Sequence, residues 1–169
     1  METHRVMLVD DEDLVLRALE RSLRKENYKL IAAGSAQQAL ETLKQKRIDL
    51  IISDHLMPGM TGLEFLKLVK AKYPEVIRII LSGHADLDIV ISAINEGEVY
   101  RFLTKPWSDG ELKLNIRLAL QNLELIRQNQ RLGAKVKKQS EYILNLEKKH
   151  PGIFTVERDD TGAILIEEE

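Results

Sequence analysis

Val6-Met7-Leu8-Val9-Asp10-Asp11, close to the start of the chain, sets four apolar residues in a row with two carboxylates directly behind them. An apolar run with no polar residue inside it reads as a strand buried on both faces, the pattern of a parallel sheet covered on each side. The same unit recurs outward from this stretch. Asp13 to Lys25 places Val15, Ala18, Leu19 and Leu23 on one helical face, and Leu30-Ile31-Ala32-Ala33 is a second strand. Ser35 and Gln38 form a capping box for a helix turning Ala36, Ala39, Leu40 and Leu43 inward. Leu50-Ile51-Ile52-Ser53 is a third strand, closed by the turn Met57-Pro58-Gly59, and Phe65, Leu66 and Val69 mark the next helix. Val76 to Leu81 is a fourth strand. A helix with Leu87, Val90, Ile91 and Ile94 inward follows, ends at Gly97, and leads into a fifth strand from Val99 to Leu103. Five such alternations joined by right-handed crossovers predict an α/β fold: a doubly wound, five-stranded parallel sheet in the order 2-1-3-4-5, flavodoxin-like.

Composition narrows the function classes. The 169 residues are 44% hydrophobic and 31% charged, enough apolar content for a real core. With Cys 0, disulfides, thiolate metal sites and cysteine nucleophiles are excluded. A net charge of −2 gives no general attraction to nucleic acid or anionic lipid. No apolar run reaches the ~20 residues of a membrane span, and the first residues lack a signal-peptide core, so a cytoplasmic protein is expected.

The last helix is expected to be long. Ser108 and Glu111 form a capping box, and nothing stops the helix before His150-Pro151-Gly152. Leu112, Ile116, Ala119 and Leu123 serve the sheet. Leu125, Asn129, Leu132, Val136, Gln139, Ile143 and Leu146 then alternate spacings of four and three, a heptad seam with Asn129, Val136 and Ile143 at a and the others at d. A lone Asn at a favours a parallel two-stranded register, so a homodimer is expected. The competing expectation is a solvated amphipathic helix folding back on its own domain. Beyond it, Ile153 to Val156 and Ala163 to Ile166 read as a hairpin. Between Gln121 and Lys149 seven basic residues oppose three acids, while the segment from His150 carries six acids against Arg158. That dipolar pattern suits self-association or partner docking and speaks against direct DNA binding. The expected organisation is residues 1–120, a helical extension over 121–149, and an acidic tail over 150–169.

In an open α/β sheet, function gathers beyond the carboxyl ends of the strands. There the sequence delivers Asp10 and Asp11, Asp54, Ser82 and Lys105. Adjacent first and third strands would bring Asp10, Asp11 and Asp54 together, and three carboxylates so close call for a cation or raised pKa values. Oxygen-only donors point to a hard ion, Mg²⁺ or Mn²⁺. A metal, the Lys105 ammonium and the Ser82 hydroxyl around Asp54 are what an acyl phosphate on that carboxylate would need. Helix capping explains Glu12 and Asp13. It does not explain Asp54, which precedes a Pro-Gly turn.

Four stretches in order carry a resemblance: Leu8-Val9-Asp10-Asp11, Asp54-His55-Leu56-Met57-Pro58-Gly59-Met60-Thr61-Gly62, Leu81-Ser82-Gly83-His84-Ala85-Asp86 and Phe102-Leu103-Thr104-Lys105-Pro106. Over about the first 120 positions the chain resembles the receiver domain of bacterial two-component response regulators, the CheY-like superfamily. The resemblance implies that Asp54 is the phosphoacceptor, served by a sensor histidine kinase or phosphotransfer protein. It implies that Asp10, Asp11, Asp54 and the backbone carbonyl of Leu56 hold Mg²⁺. It gives Lys105 and Ser82 to the phosphoryl oxygens and makes Phe102 the aromatic switch. It also implies a cis Lys105-Pro106 peptide and a tuning of dephosphorylation by Leu56 and His84. The signal would leave through the face of the fourth helix, fifth strand and last helix. Such a chain is a phosphoacceptor limited to self-directed phosphotransfer and autodephosphorylation, not an enzyme. Ser82 stands where many members carry Thr, and Phe102 lacks the hydroxyl of the Tyr often found there.

Two rivals make different expectations. A haloacid-dehalogenase-type phosphatase would use Asp11-Glu12-Asp13 with Asp11 as nucleophile, but it needs an acidic pair after a late strand, where Ser82-Gly83 and Lys105-Pro106 stand. An unphosphorylated pseudo-receiver acting only in dimerisation would not need the full phosphorylation set, all of which is present.

Overall fold

The computed structural model describes residues 3–83, 87–95 and 98–153. His84 and the hairpin expected around Glu157 to Gly162 lie outside the described residues. The elements run β1 (His4–Val9), α1 (Asp13–Leu23), β2 (Tyr28–Ala33), α2 (Ala36–Gln45), β3 (Leu50–Asp54), α3 (Gly62–Lys72), β4 (Ile77–Ser82), α4 (Leu87–Asn95), β5 (Arg101–Thr104) and α5 (Asp109–Lys149). The sheet has five strands in the order β2-β1-β3-β4-β5, and each of its four pairings is parallel. This is the doubly wound, flavodoxin-like arrangement that the alternation predicts.

Successive strand residues point to opposite faces, so an unbroken apolar run feeds two cores. Val6, Leu8, Leu50, Ile52, Ile79, Leu81 and Leu103 pack with α1 and the first part of α5 through Leu16, Leu19, Leu23, Leu112, Ile116 and Ala119. Met7, Val9, Ile51 and Ile80 turn the other way onto α2, α3 and α4 through Ala39, Leu43, Phe65, Leu66, Val69 and Ala93. A sheet buried on both faces leaves its strand ends as the place for polar chemistry.

The structure corrects several sequence expectations. In α1 the buried face is set by Leu16, Leu19 and Leu23, with Val15 and Ala18 half-buried on its flank. In α4, Ile91 is 46% exposed while Ala93 is buried and Ile94 packs on the core beside it; the expected inward side chains of Leu87 and Val90 lie outside the described ones. Gln38 donates its backbone N–H to the Ser35 hydroxyl, but its side chain accepts from Gly34 instead of closing the box on Ser35. β5 starts at Arg101, after Val99 and Tyr100. The α4–β5 connection is pinned by Arg78 on β4, which is 9% exposed. Its Nε donates to the Glu98 carbonyl at 2.8 Å and its Nη1 to the Val76 carbonyl at 2.6 Å. Burial lowers the Arg78 pKa, with Glu98 opposing the shift. Arg78→Leu strands those carbonyls without donors, so we expect a loss of about 2–4 kcal/mol, read as a lowered urea midpoint at unchanged slope.

The chain divides into two compact units, Met1–Leu125 and Ile126–Glu169. The first ends later than residue 120 because Leu120 and Leu123 are still buried on the sheet. α5 is 41 residues long, about 60 Å at 1.5 Å per residue. Among the described residues no helix is long and apolar enough to cross a membrane.

Candidate functional site

β1 pairs with β3 so that Val9 lies beside Ser53, which sets the next residues, Asp10 and Asp54, side by side where the two strands end. Asp10 has no exposed surface. Its Oδ1 accepts the Glu12 backbone N–H at 2.9 Å, a bond that turns the chain into α1. Its Oδ2 accepts from Lys105 Nζ at 2.9 Å. Asp54, 6% exposed, receives the same ammonium at 2.7 Å through Oδ1. Asp11 is exposed at the rim.

Lys105 arrives from β5. Ser82 and Thr104 are ladder partners, and the Lys105 backbone N–H donates to the Ser82 carbonyl at 2.9 Å, carrying the ladder one residue further. The Lys105–Pro106 peptide is cis. Burial pulls the Lys105 pKa down, but Asp54 and Asp10 together overcome it and leave the ammonium raised above its ordinary value. Burial also dominates at Asp54. It raises the carboxyl above the usual range, with Asp10 adding to the rise and Lys105 only partly offsetting it.

One oxygen each from Asp10, Asp11 and Asp54 lies within 4.8 Å of the others. Oxygens sharing a Mg²⁺ at about 2.0–2.1 Å sit at most about 4.2 Å apart, so a small closing of this set suffices. Among the described residues these three acid oxygens come with no nitrogen or sulfur donor, which suits a hard divalent cation. The carboxylate excess also suits one, since the Lys105 ammonium pairs with only two of the three acids, Asp10 and Asp54.

Ser82 is 1% exposed, and its hydroxyl donates to the Gly83 carbonyl at 3.2 Å. Phe102 is half-buried against the α2/α3/α4 core. Leu56 is 63% exposed next to the site, whereas His55 is buried. Trp107 packs against the α1/α5 core. Asp13, which the phosphatase alternative would use, pairs with Arg17 at the exposed start of α1, and both side chains are more than 70% exposed.

Two functional features escaped the sequence reading. Thr61 and Glu64 form a complete capping box at α3, a signal present in the sequence. Gly62 donates its N–H to the His55 carbonyl at 2.8 Å, and a Cβ on it would stand 1.8 Å from the Asp54 carbonyl oxygen. Only the folded backbone reveals that approach.

Of the seam residues, Leu125, Leu132 and Val136 are 58–60% exposed and Ile143 is 49% exposed. Asn129 is exposed and Leu146 half-buried.

Comparisons with known proteins agree with this fold. Residues 6–117 match the response regulator receiver domain family. The hydrogenase transcriptional regulatory protein HoxA of Cupriavidus necator is 37% identical over 116 residues, covering 69% of this chain and 24% of HoxA. The signal receiver domain of an HD domain-containing protein from Pseudomonas fluorescens Pf-5 superposes with a TM-score of 0.71 at 39% identity, over 76% of this chain and 94% of that one. NtrX from Brucella abortus gives a TM-score of 0.72 at 28% identity, over 78% of this chain and 30% of its own. The chain spans about a quarter of the length of the curated relatives it matches. A parallel 2-1-3-4-5 sheet, acids where β1 and β3 end, a lysine reaching them from beyond β5 and a match over most of the sheet have one common reading: the chain belongs to the response regulator receiver domain family.

Proposed function

We propose that this chain is the phosphoacceptor of a two-component system, with Asp54 taking the phosphoryl group from the phosphohistidine of a sensor kinase or phosphotransfer protein in the cytoplasm. The observation that carries this reading is the Lys105 ammonium bridging Asp54 and Asp10 inside a three-carboxylate cluster. An Asp54 oxygen forms the new O–P bond as the P–N bond breaks, and the departing imidazole keeps the bonding electrons. Lys105 neutralises charge on the transferring group and holds it in line. Asp10, Asp11, Asp54 and the Leu56 carbonyl would hold Mg²⁺ (Mn²⁺ as a substitute), which when bound neutralises phosphoryl oxygens. The test is incubation of the full chain with acetyl phosphate and Mg²⁺ followed by intact mass measurement. A gain of one phosphoryl group supports the reading, and no gain defeats it.

Metal binding has its own readout. Mg²⁺ at about ten times its dissociation constant should add about 1.4 kcal/mol to folding stability, visible as a raised melting temperature. Asp11 is exposed, so Asp11→Asn should leave the fold intact and remove most of that increment.

The incoming group adds about −1.5 to −2 charges at this edge. Ser82 turns its hydroxyl from the Gly83 carbonyl to a phosphoryl oxygen, and Phe102 moves inward behind it. Leu56 and His84 tune access of the hydrolytic water. The change is read on the face of α4, β5 and α5, where Ile91, Leu114 and Leu118 are exposed. Leu118, Asn122 and Leu125 carry the four-three spacing of the seam back along α5, opposite its buried Leu112, Ile116, Ala119 and Leu123. This supports a parallel homodimer whose crossing geometry shifts on phosphorylation. Leu132→Lys should weaken that dimer more than a hundredfold, because two copies of a buried leucine are lost at about 1.5–3 kcal/mol each, while acetyl phosphate labelling continues. Sedimentation of variant and parent checks it, and an unchanged monomer–dimer equilibrium defeats the seam.

A further inference from the structure

An open groove of about 550 Å³ runs beside α5 in the first unit, walled by Leu120, Gln121 and Leu125 with the charged Arg117 and Glu124 on one side, and by His4 of β1 and Tyr28 of β2 on the other. Its surface is mostly apolar, yet Leu125 is 60% exposed and nothing in the receiver chemistry uses the groove. The heptad register says what stands over it. With Leu125 at d and Asn129 at a, Gln121 is a g position and Ile126 an e position. In a parallel pair, a g residue lies opposite the e residue that opens the next heptad of the other helix. The residue facing Gln121 is therefore the other copy's position 126.

Coiled coils put charged residues at e, where they pair with g. Here that position is isoleucine, 44% exposed, and its counterpart is an uncharged glutamine beside an apolar groove. We propose that the groove between α5 and the starts of β1 and β2 receives Ile126 of the partner subunit in the parallel homodimer. The inference rests on the parallel-seam reading above and adds to it a contact between the partner's helix and the body of the receiver. Through that contact a change in helix crossing is felt at β1 and β2, not only along the seam.

Isotope-filtered NOE spectra of a mixed dimer test it, with one copy methyl-labelled at Ile and Leu and the other unlabelled. The expected result is intermolecular NOEs from Ile126 methyls to the Tyr28 ring, alongside NOEs between the Leu132 side chains of the two copies. Leu132 NOEs without Ile126–Tyr28 NOEs overturn the groove contact and leave the seam standing. Absence of both overturns the two together. Ile126→Ala should weaken dimerisation about tenfold with acetyl phosphate labelling unchanged, and an unaltered affinity overturns the proposal.

Discussion

Asp54→Asn is expected to bring acetyl phosphate labelling in Mg²⁺ to background, a loss of at least about a hundredfold, while the domain stays folded. An amide oxygen cannot form a stable acyl phosphate, so the chemistry ends with the substitution. The geometry says why no neighbour should substitute. Asp10 is fully buried, and both of its oxygens are engaged, one by the Glu12 N–H and one by Lys105. Asp11 is open to solvent, and no ammonium is bound to it among the ion pairs of the described residues. Asp54 alone combines a lysine contact with a position between a buried floor and an open rim. Labelling that persists in the variant, or that moves to Asp11, would remove the basis of the proposed function.

The same substitution has a stability consequence of opposite sign to the usual loss. Burial, and then Asp10, hold the folded-state pKa of Asp54 above its unfolded value. The folded state therefore binds the proton more tightly, and its stability falls as pH rises from the unfolded to the folded pKa. Above that window the ionised carboxylate is a standing cost. Asn removes the charge at nearly constant shape, so at pH 7 without divalent metal the variant should melt no lower than the parent. Excess Mg²⁺ should then stabilise the parent more than the variant, since one of the three carboxylates proposed to hold the ion is gone.

The sheet was legible because its strands are buried on both faces. Val6 to Val9 and Leu50 to Ile52 contain no polar residue, and such short apolar runs, repeated between helix-period segments, fit covered parallel strands. The acids and Lys105 were legible for the complementary reason. They interrupt apolar runs at strand ends, where a doubly wound sheet opens to ligands. Helix faces were less legible. Leu14-Val15-Leu16 is apolar throughout, and periodicity could not tell that Leu14 is 79% exposed while Leu16 is buried. In α4, Ile89-Val90-Ile91 presents the same ambiguity, and Ile91 faces outward. Arg78 was hidden because an arginine on a central strand finds its partners in carbonyls from three other positions, Pro74, Val76 and Glu98. Those bonds follow from the tertiary path of the backbone and leave no mark in the spacing of residues.

Gly62→Ala carries the largest expected cost in stability. Gly62 is the first residue of α3, fixed on one side by the complete capping box of Thr61 and Glu64 and on the other by its N–H bond to the His55 carbonyl. The helix start is thereby pressed onto the end of β3. A methyl group there would stand 1.8 Å from the Asp54 oxygen, 2.8 Å from the Asp54 carbonyl carbon and 3.0 Å from His55 Cα. All three are backbone atoms, and no rotamer change can relieve the overlap. Either α3 slides outward, losing the buried contacts of Phe65 and Leu66, or the end of β3 moves and takes Asp54 with it. Overpacking that displaces backbone belongs at or above the upper end of the usual 1–3 kcal/mol range, so we expect a loss of about 3–5 kcal/mol. For a domain of this size that lowers the melting temperature by roughly 10–20 °C. Gly59 is the contrasting case. Its φ of +82° asks for glycine, but a Cβ there meets nothing within 4 Å, so Gly59→Ala should cost only about 1–2 kcal/mol of backbone strain. If calorimetry finds Gly62→Ala no worse than Gly59→Ala, the close seating of α3 on the end of β3 is wrong. If Gly62→Ala melts low but labels at the parent rate, then the strand end holding Asp54 is positioned by the sheet ladder and Lys105 rather than by the helix behind it.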